Sequence, residues 1–251
     1  VTTGGYNTAI GNSALYAVVS GAQNTAVGSG ALSSSTADYG VAVGANSLSS
    51  NTTGNYNTAL GASALASNTT ASNNTAVGYQ AGYNNTTGYR LTALGYQALY
   101  AHTTGVANTA VGYSSMPANT TGQENTAIGD NTMTANTTGS QNTALGKGVL
   151  AGNTTATYNT GAGYQALNAN STGASNTAVG GLALAYNTTA SNNTAVGYQA
   201  GYYAAGSSNG SNSWLGYQAG YLVAVGGYNV GIGYQAQYAS GGTGGGFNVS
   251  V

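Results

Sequence analysis

Charge is almost missing from this chain. Asp38, Arg90, Glu124, Asp130 and Lys147 are its only charged residues, five of 251 positions, where soluble domains carry roughly a quarter. Nucleic acid and anionic membrane are gripped through Lys and Arg, so neither is expected as a partner, and no membrane contact is expected in this segment. Cysteine is absent too, which removes disulfide stapling and thiolate metal ligands. With a single His and no aspartate run of the calcium-binding type, no metal and no cofactor is expected. No apolar run approaches the roughly 18 residues of a membrane helix, and no signal peptide is visible.

What fills the chain instead is one phrase. The Gly that closes it recurs at Gly11, Gly28, Gly44, Gly61, Gly78, Gly95, Gly112, Gly129, Gly146, Gly163, Gly180, Gly197, Gly216 and Gly233. Every step is 17 residues except Gly28 to Gly44, which is 16, and Gly197 to Gly216, which is 19. The unit reads N-T-A-[V/I/L]-G-x-x-A-L-x-x-N-T-T-G-x-x, and its positions are called slots one to seventeen below. Fourteen copies leave room for no other domain, so residues 1–251 read as one repeat-built domain in which 198–251 are divergent, rich in Gly and Tyr, and carry insertions. Both ends cut through a repeat and there is no initiator Met, so the chain is expected to be a window on a longer protein. Disorder, the other reading of low complexity, sits badly with 21 Tyr, a hydrophobic fraction of 41% and apolar residues that keep phase throughout.

The period decides the architecture. Seventeen residues are too few for a helical hairpin, and Gly, Asn, Thr and Val favour strands and turns. Two strands of four or five residues plus two turns would close one coil of a parallel β-solenoid, all-β, with coils stacked about 4.8 Å apart into a rod of roughly 65 Å. Each residue then sits above its own kind. Like charges would form repelling columns, whereas Asn, Thr and small apolar groups form favourable ladders. The fifth-slot Gly (Gly61, Gly78, Gly95, Gly112 and Gly129 among them) suits a corner with positive φ or a close backbone approach. The first-slot Asn, present in 12 of 14 copies and replaced at Gly40 and Leu91, suits bridging of turn amides.

Slots three and four are both apolar, as are eight and nine, although neighbouring strand positions face opposite sides. One side of each strand can line the coil, and the other needs a cover. The ninth slot is Leu or Met in ten copies: Leu15, Leu32, Leu48, Leu65, Leu99, Met116, Met133, Leu150, Leu167 and Leu184. Such a column would exceed the apolar patch a monomer tolerates, so it is read as the interface of a parallel homo-oligomer, most simply a homotrimer. Where the ninth slot is Gly82, Gly201 or Gly220, the next residue is Tyr83, Tyr202 or Tyr221, read as one bulky group replacing another.

The phrase T-A-V-G-Y-Q-A (Thr75 to Ala81) resembles the head repeats of trimeric autotransporter adhesins, whose units are shorter than 17 and wind as a left-handed parallel β-roll in a trimer. The whole unit is similar to the shaft repeats of phage-type tail fibre proteins, strongly over residues 1 to about 200 and loosely beyond. The resemblance implies a non-enzymatic fibre shaft, extracellular, on a virion tail fibre or a cell surface, that partners itself and holds or forms a host-binding element. A cell-surface glycan or receptor is the external partner it implies.

Chemistry finds little foothold. His102, the only His, stands in the Asn place of an N-T-T-G corner, and a Ser-His-Asp arrangement would have to use it. Glu124 and Asp130 lie six apart and read as a solvated pair. The segment G-K-G at 146–148 lacks the spacing of a phosphate loop, and G-G-T-G-G-G at 241–246 reads as a corner. Sequons at Asn51, Asn68, Asn85, Asn119 and Asn136 arise from the N-T-T corner itself. Tyr follows the corner Gly at Tyr79, Tyr96, Tyr113, Tyr164, Tyr198, Tyr217 and Tyr234; these rings either stack on glycan sugars or seal the corner. The insertion before Trp214 reads as a protrusion suited to binding. An ice-binding solenoid is the alternative function, resting on Thr columns in slot two (Thr58, Thr75, Thr109, Thr126), although parity with a buried fourth slot points those Thr inward. A depolymerising fibre would need paired carboxylates.

Overall fold

The computed structural model describes residues 4–203, 210–223, 226–240 and 248–251. The chain divides into two compact units, Val1–Glu124 and Asn125–Val251. The first holds β1 (Thr8–Ile10), β2 (Thr25–Val27), β3 (Val41–Val43), β4 (Thr58–Leu60), β5 (Thr75–Val77), β6 (Thr92–Leu94) and β7 (Thr109–Val111). Each strand pairs in parallel with the next, slot upon slot, as in Thr75↔Thr92, Ala76↔Ala93 and Val77↔Leu94. The second unit holds β8 (Thr126–Ile128), β9 (Thr143–Leu145), β10 (Thr160–Ala162), β11 (Thr177–Val179), β12 (Thr194–Val196), β13 (Ser213–Leu215), β14 (Leu222–Val223), β15 (Val230–Ile232), β16 (Ala239–Ser240) and β17 (Val249–Ser250). Its parallel ladder runs β8 to β13 in order and on to β15 and β17, while β14 and β16 pair beside it. Each unit is therefore a parallel β-solenoid with one coil per repeat. The shortened and lengthened repeats stay in register, Thr25 facing Val41 and Thr194 facing Ser213, so the turns absorb the missing and extra residues.

Each coil carries one three-residue strand of the main ladder, not the two longer strands that strand propensity suggested. Slots six to eleven are turns. Their cause is a set of residues with left-handed backbone at slots seven, nine and seventeen: Gln80 (φ 54), Leu99 (φ 54) and Arg90 (φ 58), for instance. Each costs about 1 kcal/mol or more in isolation, and persists because hydrogen bonds hold the segment from the next coil. Leu48 N–H donates to Ala64 O at 3.0 Å and Leu65 N–H to Ala81 O at 2.9 Å. At the corner, Gly78 has φ 131, and a Cβ there would collide with the Gly95 carbonyl of the next coil. Only Gly allows coils to approach this closely.

The turn geometry also redirects the side chains. With slots seven and nine left-handed, strict alternation ends, and slots eight and nine both point inward. Ala98 and Leu99 are fully buried, as are Leu32, Leu48, Met116, Met133, Leu150, Leu167 and Leu184, with Leu15 and Leu65 nearly so. The ninth-slot column is thus each coil's own core and offers no surface to a partner, which corrects its reading as an oligomer interface. The third slot (Ala26, Ala42, Ala59, Ala76) packs against it, also fully buried. Slots two and four lie on the outer face of the strand, opposite to the inward direction expected for them.

Where the ninth slot is Gly, the adjoining Tyr does not enter the core: Tyr83, Tyr202 and Tyr221 remain half-exposed. Neighbouring coils fill the space. A Cβ on Gly82 would lie 2.9 Å from Leu65 Cδ2, and one on Gly201 would lie 2.7 Å from Trp214 Cδ1. Trp214 occupies the third slot of β13, 1% exposed, and spreads under Gly201, Gly220 and Gly231. It belongs to the core and not to a protruding insertion. The 204–209 part of that insertion and the G-G-T-G-G-G stretch lie outside the described residues.

Candidate functional site

Two buried Asn columns line the corner side of each coil. A first-slot Asn accepts through Oδ1 from the backbone N–H one coil on, as Asn74 N–H does to Asn57 Oδ1 at 3.0 Å, and donates through Nδ2 to turn carbonyls, Asn57 to Gly54 O at 3.0 Å and Ala71 O at 2.7 Å. Twelfth-slot Asn residues chain to each other, Asn85 Nδ2 to Asn68 Oδ1 at 2.8 Å, and close their own turn on Gly88 O at 2.9 Å. The sequon residues Asn51, Asn68, Asn85, Asn119 and Asn136 are these ladder members, all fully buried. Their amides are committed inside the coil, and the folded chain presents none of them for glycosylation.

His102 completes this ladder. It is 0% exposed; its Nδ1 lies 3.0 Å from Asn85 Oδ1 and its Nε2 3.2 Å from Asn108 Nδ2. Asn85 already donates both amide hydrogens, so the neutral imidazole donates from Nδ1 and accepts at Nε2. Burial lowers its pKa from 6.5 to about 4. Among the described residues no three His, Cys, Asp or Glu come together, and no helix is long and apolar enough to cross a membrane. Glu124 and Asp130 fall in different units; Asp130 instead faces Lys147 of the following coil at 3.4 Å.

The outer strand face is the most regular surface. Its fourth slot is aliphatic, and Ile10, Leu60, Ile128, Leu145, Val179, Leu215 and Ile232 are 40% to 61% exposed. The second-slot Thr residues stand beside them, Thr75 exposed and Thr58, Thr92 and Thr109 half-buried. None of these four hydroxyls bonds to a protein group among the described residues. Thr residues of slot thirteen behave otherwise: the hydroxyls of Thr36, Thr52, Thr69, Thr86, Thr103, Thr137 and Thr154 are tied to a carbonyl of the next coil, as Thr86 Oγ1 is to Thr103 O at 3.0 Å.

The sixth-slot Tyr residues form stacks. Tyr79, Tyr96 and Tyr113 lie with centroids 5.6 and 5.0 Å apart, and Tyr198, Tyr217 and Tyr234 at 5.7 and 5.2 Å. Tyr164 is outside both, flanked in its slot by Lys147 and Gly181. Within a stack each ring covers its neighbour's face, leaving edges and hydroxyls to solvent. A second column, unnoticed from the sequence although the spacing Y-Q-A-G-Y announces it, stacks slot ten: Tyr83 on Tyr100 at 5.4 Å, and Tyr202, Tyr221 and Tyr238 at 5.1 and 5.0 Å. Between them runs a Gln ladder, Gln97 Nε2 to Gln80 Oε1 at 2.9 Å and Gln235 Nε2 to Gln218 Oε1 at 2.9 Å. Partial burial among these rings, then a hydrogen bond with Tyr186, pushes the Tyr202 phenol up to about 12.

A comparison of the chain with models of protein families, with curated proteins and with solved structures finds no match in any of the three.

Proposed function

We propose that this chain is a non-enzymatic shaft segment of an extracellular fibre, borne by a virion or a cell, in which parallel copies pack through their outer strand faces, most simply as a homotrimer. The single observation that carries the reading is the fourth-slot column of each unit: an apolar side chain, exposed or half-buried, in every coil on the outer strand face. An apolar column of this kind within a unit marks an association surface. Its neighbours are Thr, not charges, so copies can close on it without burying ions. The repeat resemblance to tail fibre shafts and trimeric adhesin heads supports the same arrangement. His102, which a Ser-His-Asp mechanism would require, is committed to the Asn ladder, and this supports a role without chemistry.

Light scattering under native conditions is expected to give three times the mass of one chain. Leu60→Glu with Leu94→Glu, both on the outer face, should release single chains whose β-type circular dichroism is unchanged. A wild-type mass equal to one chain would refute assembly.

A second reading has its own observation. The second-slot Thr hydroxyls are outward, unbonded and repeated in register, which is the arrangement an ice-binding face needs. The two readings compete for one surface. A monomer that shows thermal hysteresis in a cooled sample supports ice binding, whereas an oligomer without hysteresis supports the shaft.

A further inference from the structure

Three successive coils of the second unit repeat Tyr in slot six, Gln in slot seven and Tyr in slot ten: Tyr198, Gln199 and Tyr202, then Tyr217, Gln218 and Tyr221, then Tyr234, Gln235 and Tyr238. The coil before these three departs from all three columns, as the coils of Asp130 and Lys147 also do. It carries Gly181, Leu182 and Ala185 in those slots. The missing side chains leave a cavity of about 140 Å³ lined by Gln165, Asn168, Leu182, Ala185, Tyr186 and Tyr202.

The lining has the chemistry of a sugar subsite. Tyr202 stacks one face on Tyr221, interplanar angle 4°, and lines the cavity together with Ala185, which stands in the slot where the following coils carry a ring. Tyr186 meets Tyr202 edge-on at 5.0 Å and forms a second wall. Leu182 supplies an apolar floor. Gln165 lies next to Gly148 and Leu182 in its column, so its amide has no ladder partner, unlike Gln80, Gln97, Gln199, Gln218 and Gln235. Asn168 spends one amide hydrogen on Gly148 O at 2.9 Å and keeps its other donor and its carbonyl. None of the six lining residues is charged.

We propose that this cavity binds one neutral pyranose residue of a glycan, its C–H face on Tyr202 and its hydroxyls on the Gln165 and Asn168 amides. A pyranose is half apolar and half polar by face, which matches a ring opposite free amides. The volume is well under the roughly 300–1,000 Å³ of drug-sized pockets, and this limits the occupant to one ring. The absence of a cation in the lining disfavours uronic and sialic acids. Lining residues come from slots seven, ten and eleven of one chain, so the site stands whether or not the strand faces pack together.

The test is saturation-transfer NMR on the full chain with the methyl glycosides of glucose, galactose, mannose and N-acetylglucosamine, and with glucuronic acid as the charged comparison. Transfer to at least one neutral glycoside is expected, stronger than to glucuronic acid. Ala185→Tyr restores the ring that Tyr83, Tyr100 and Tyr221 supply elsewhere; it should fill the cavity and abolish transfer while keeping the thermal midpoint. Gln165→Ala, on a half-buried side chain outside the core, should reduce transfer severalfold in a fully folded chain. Silence from all four neutral sugars, or signals that persist in both variants, would overturn the proposal.

Discussion

At the scale of single residues the fold depends on side chains that imitate backbone. Twelfth-slot Asn holds a turn carbonyl three residues on and the Asn one coil away, and His102 fits the ladder because a neutral imidazole offers one donor and one acceptor in nearly the same places. Protonation would aim a second N–H at the Asn108 amide, which donates to it, in a site that also desolvates the charge. The folded pKa of about 4 lies below the ordinary 6.5, so between those values the unfolded chain takes up a proton that the folded chain refuses. Stability from this residue is complete above pH 6.5 and declines as pH falls toward 4, by about 3 kcal/mol at about 1.36 kcal/mol per unit. Denaturant midpoints across that range should fall in the wild type and fall less in His102→Asn, which restores the common ladder member. Equal slopes in the two proteins would show that His102 is not held neutral. The Asn roles were legible because only Asn recurs where a turn needs a bridge; the depth of their burial was not, since N-T-T-G reads as a surface corner until the coil closes around it.

At the scale of the coil, the period of seventeen announced a parallel stack, and the register follows it through the short and long repeats alike. The internal plan of the coil was less legible. Propensity and alternation treat A-L in slots eight and nine as strand, but residues such as Leu99 and Gln97 sit at φ 54 and 51, a conformation that no propensity scale assigns to Leu. Only the hydrogen bonds from adjoining coils select it, and these are long-range. For the same reason the sequence alone makes the Leu column look like an outer surface and the Thr and Val columns like inner ones. Trp214 tests the corrected packing. Trp214→Ala should cost about 3–5 kcal/mol, because Gly201, Gly220 and Gly231 leave nothing else to fill the space. Gly220→Leu alone should also be severely destabilising, since a Cβ there already collides with the Trp214 ring. Combined, the two changes rebuild the Ala-plus-Leu arrangement of the other coils, and chemical denaturation should show the double variant more stable than either single one. Additive losses would mean that Trp214 and Gly220 do not share one space.

For the whole molecule, the repeat made the fold class plain and left function at the level of a class, because stacking constrains interior columns far more than it constrains what a surface column meets. The scarcity of charge belongs to this scale. A charge placed once in a repeat is harmless, whereas the same charge copied down a column meets itself about every 4.8 Å. The one pair of charges that shares a slot in adjacent coils, Asp130 and Lys147 in slot six, is of opposite sign, as this argument requires. Slot fourteen of the first unit provides a clean test, since Thr53, Thr70, Thr87, Thr104 and Thr121 form an exposed column away from the strand face and outside the core. Thr87→Lys alone should leave the denaturant midpoint within about 0.5 kcal/mol of wild type. Adding Thr70→Lys and Thr104→Lys creates two like-charge neighbours, each worth up to about 1 kcal/mol in water at this spacing, so the triple variant should lose more than three times the single loss. Molar salt should return most of that excess, and replacing the central Lys by Glu should return it without salt. If the triple loss is merely three times the single one and ignores salt, then the composition of this chain reflects something other than the stacking of like upon like.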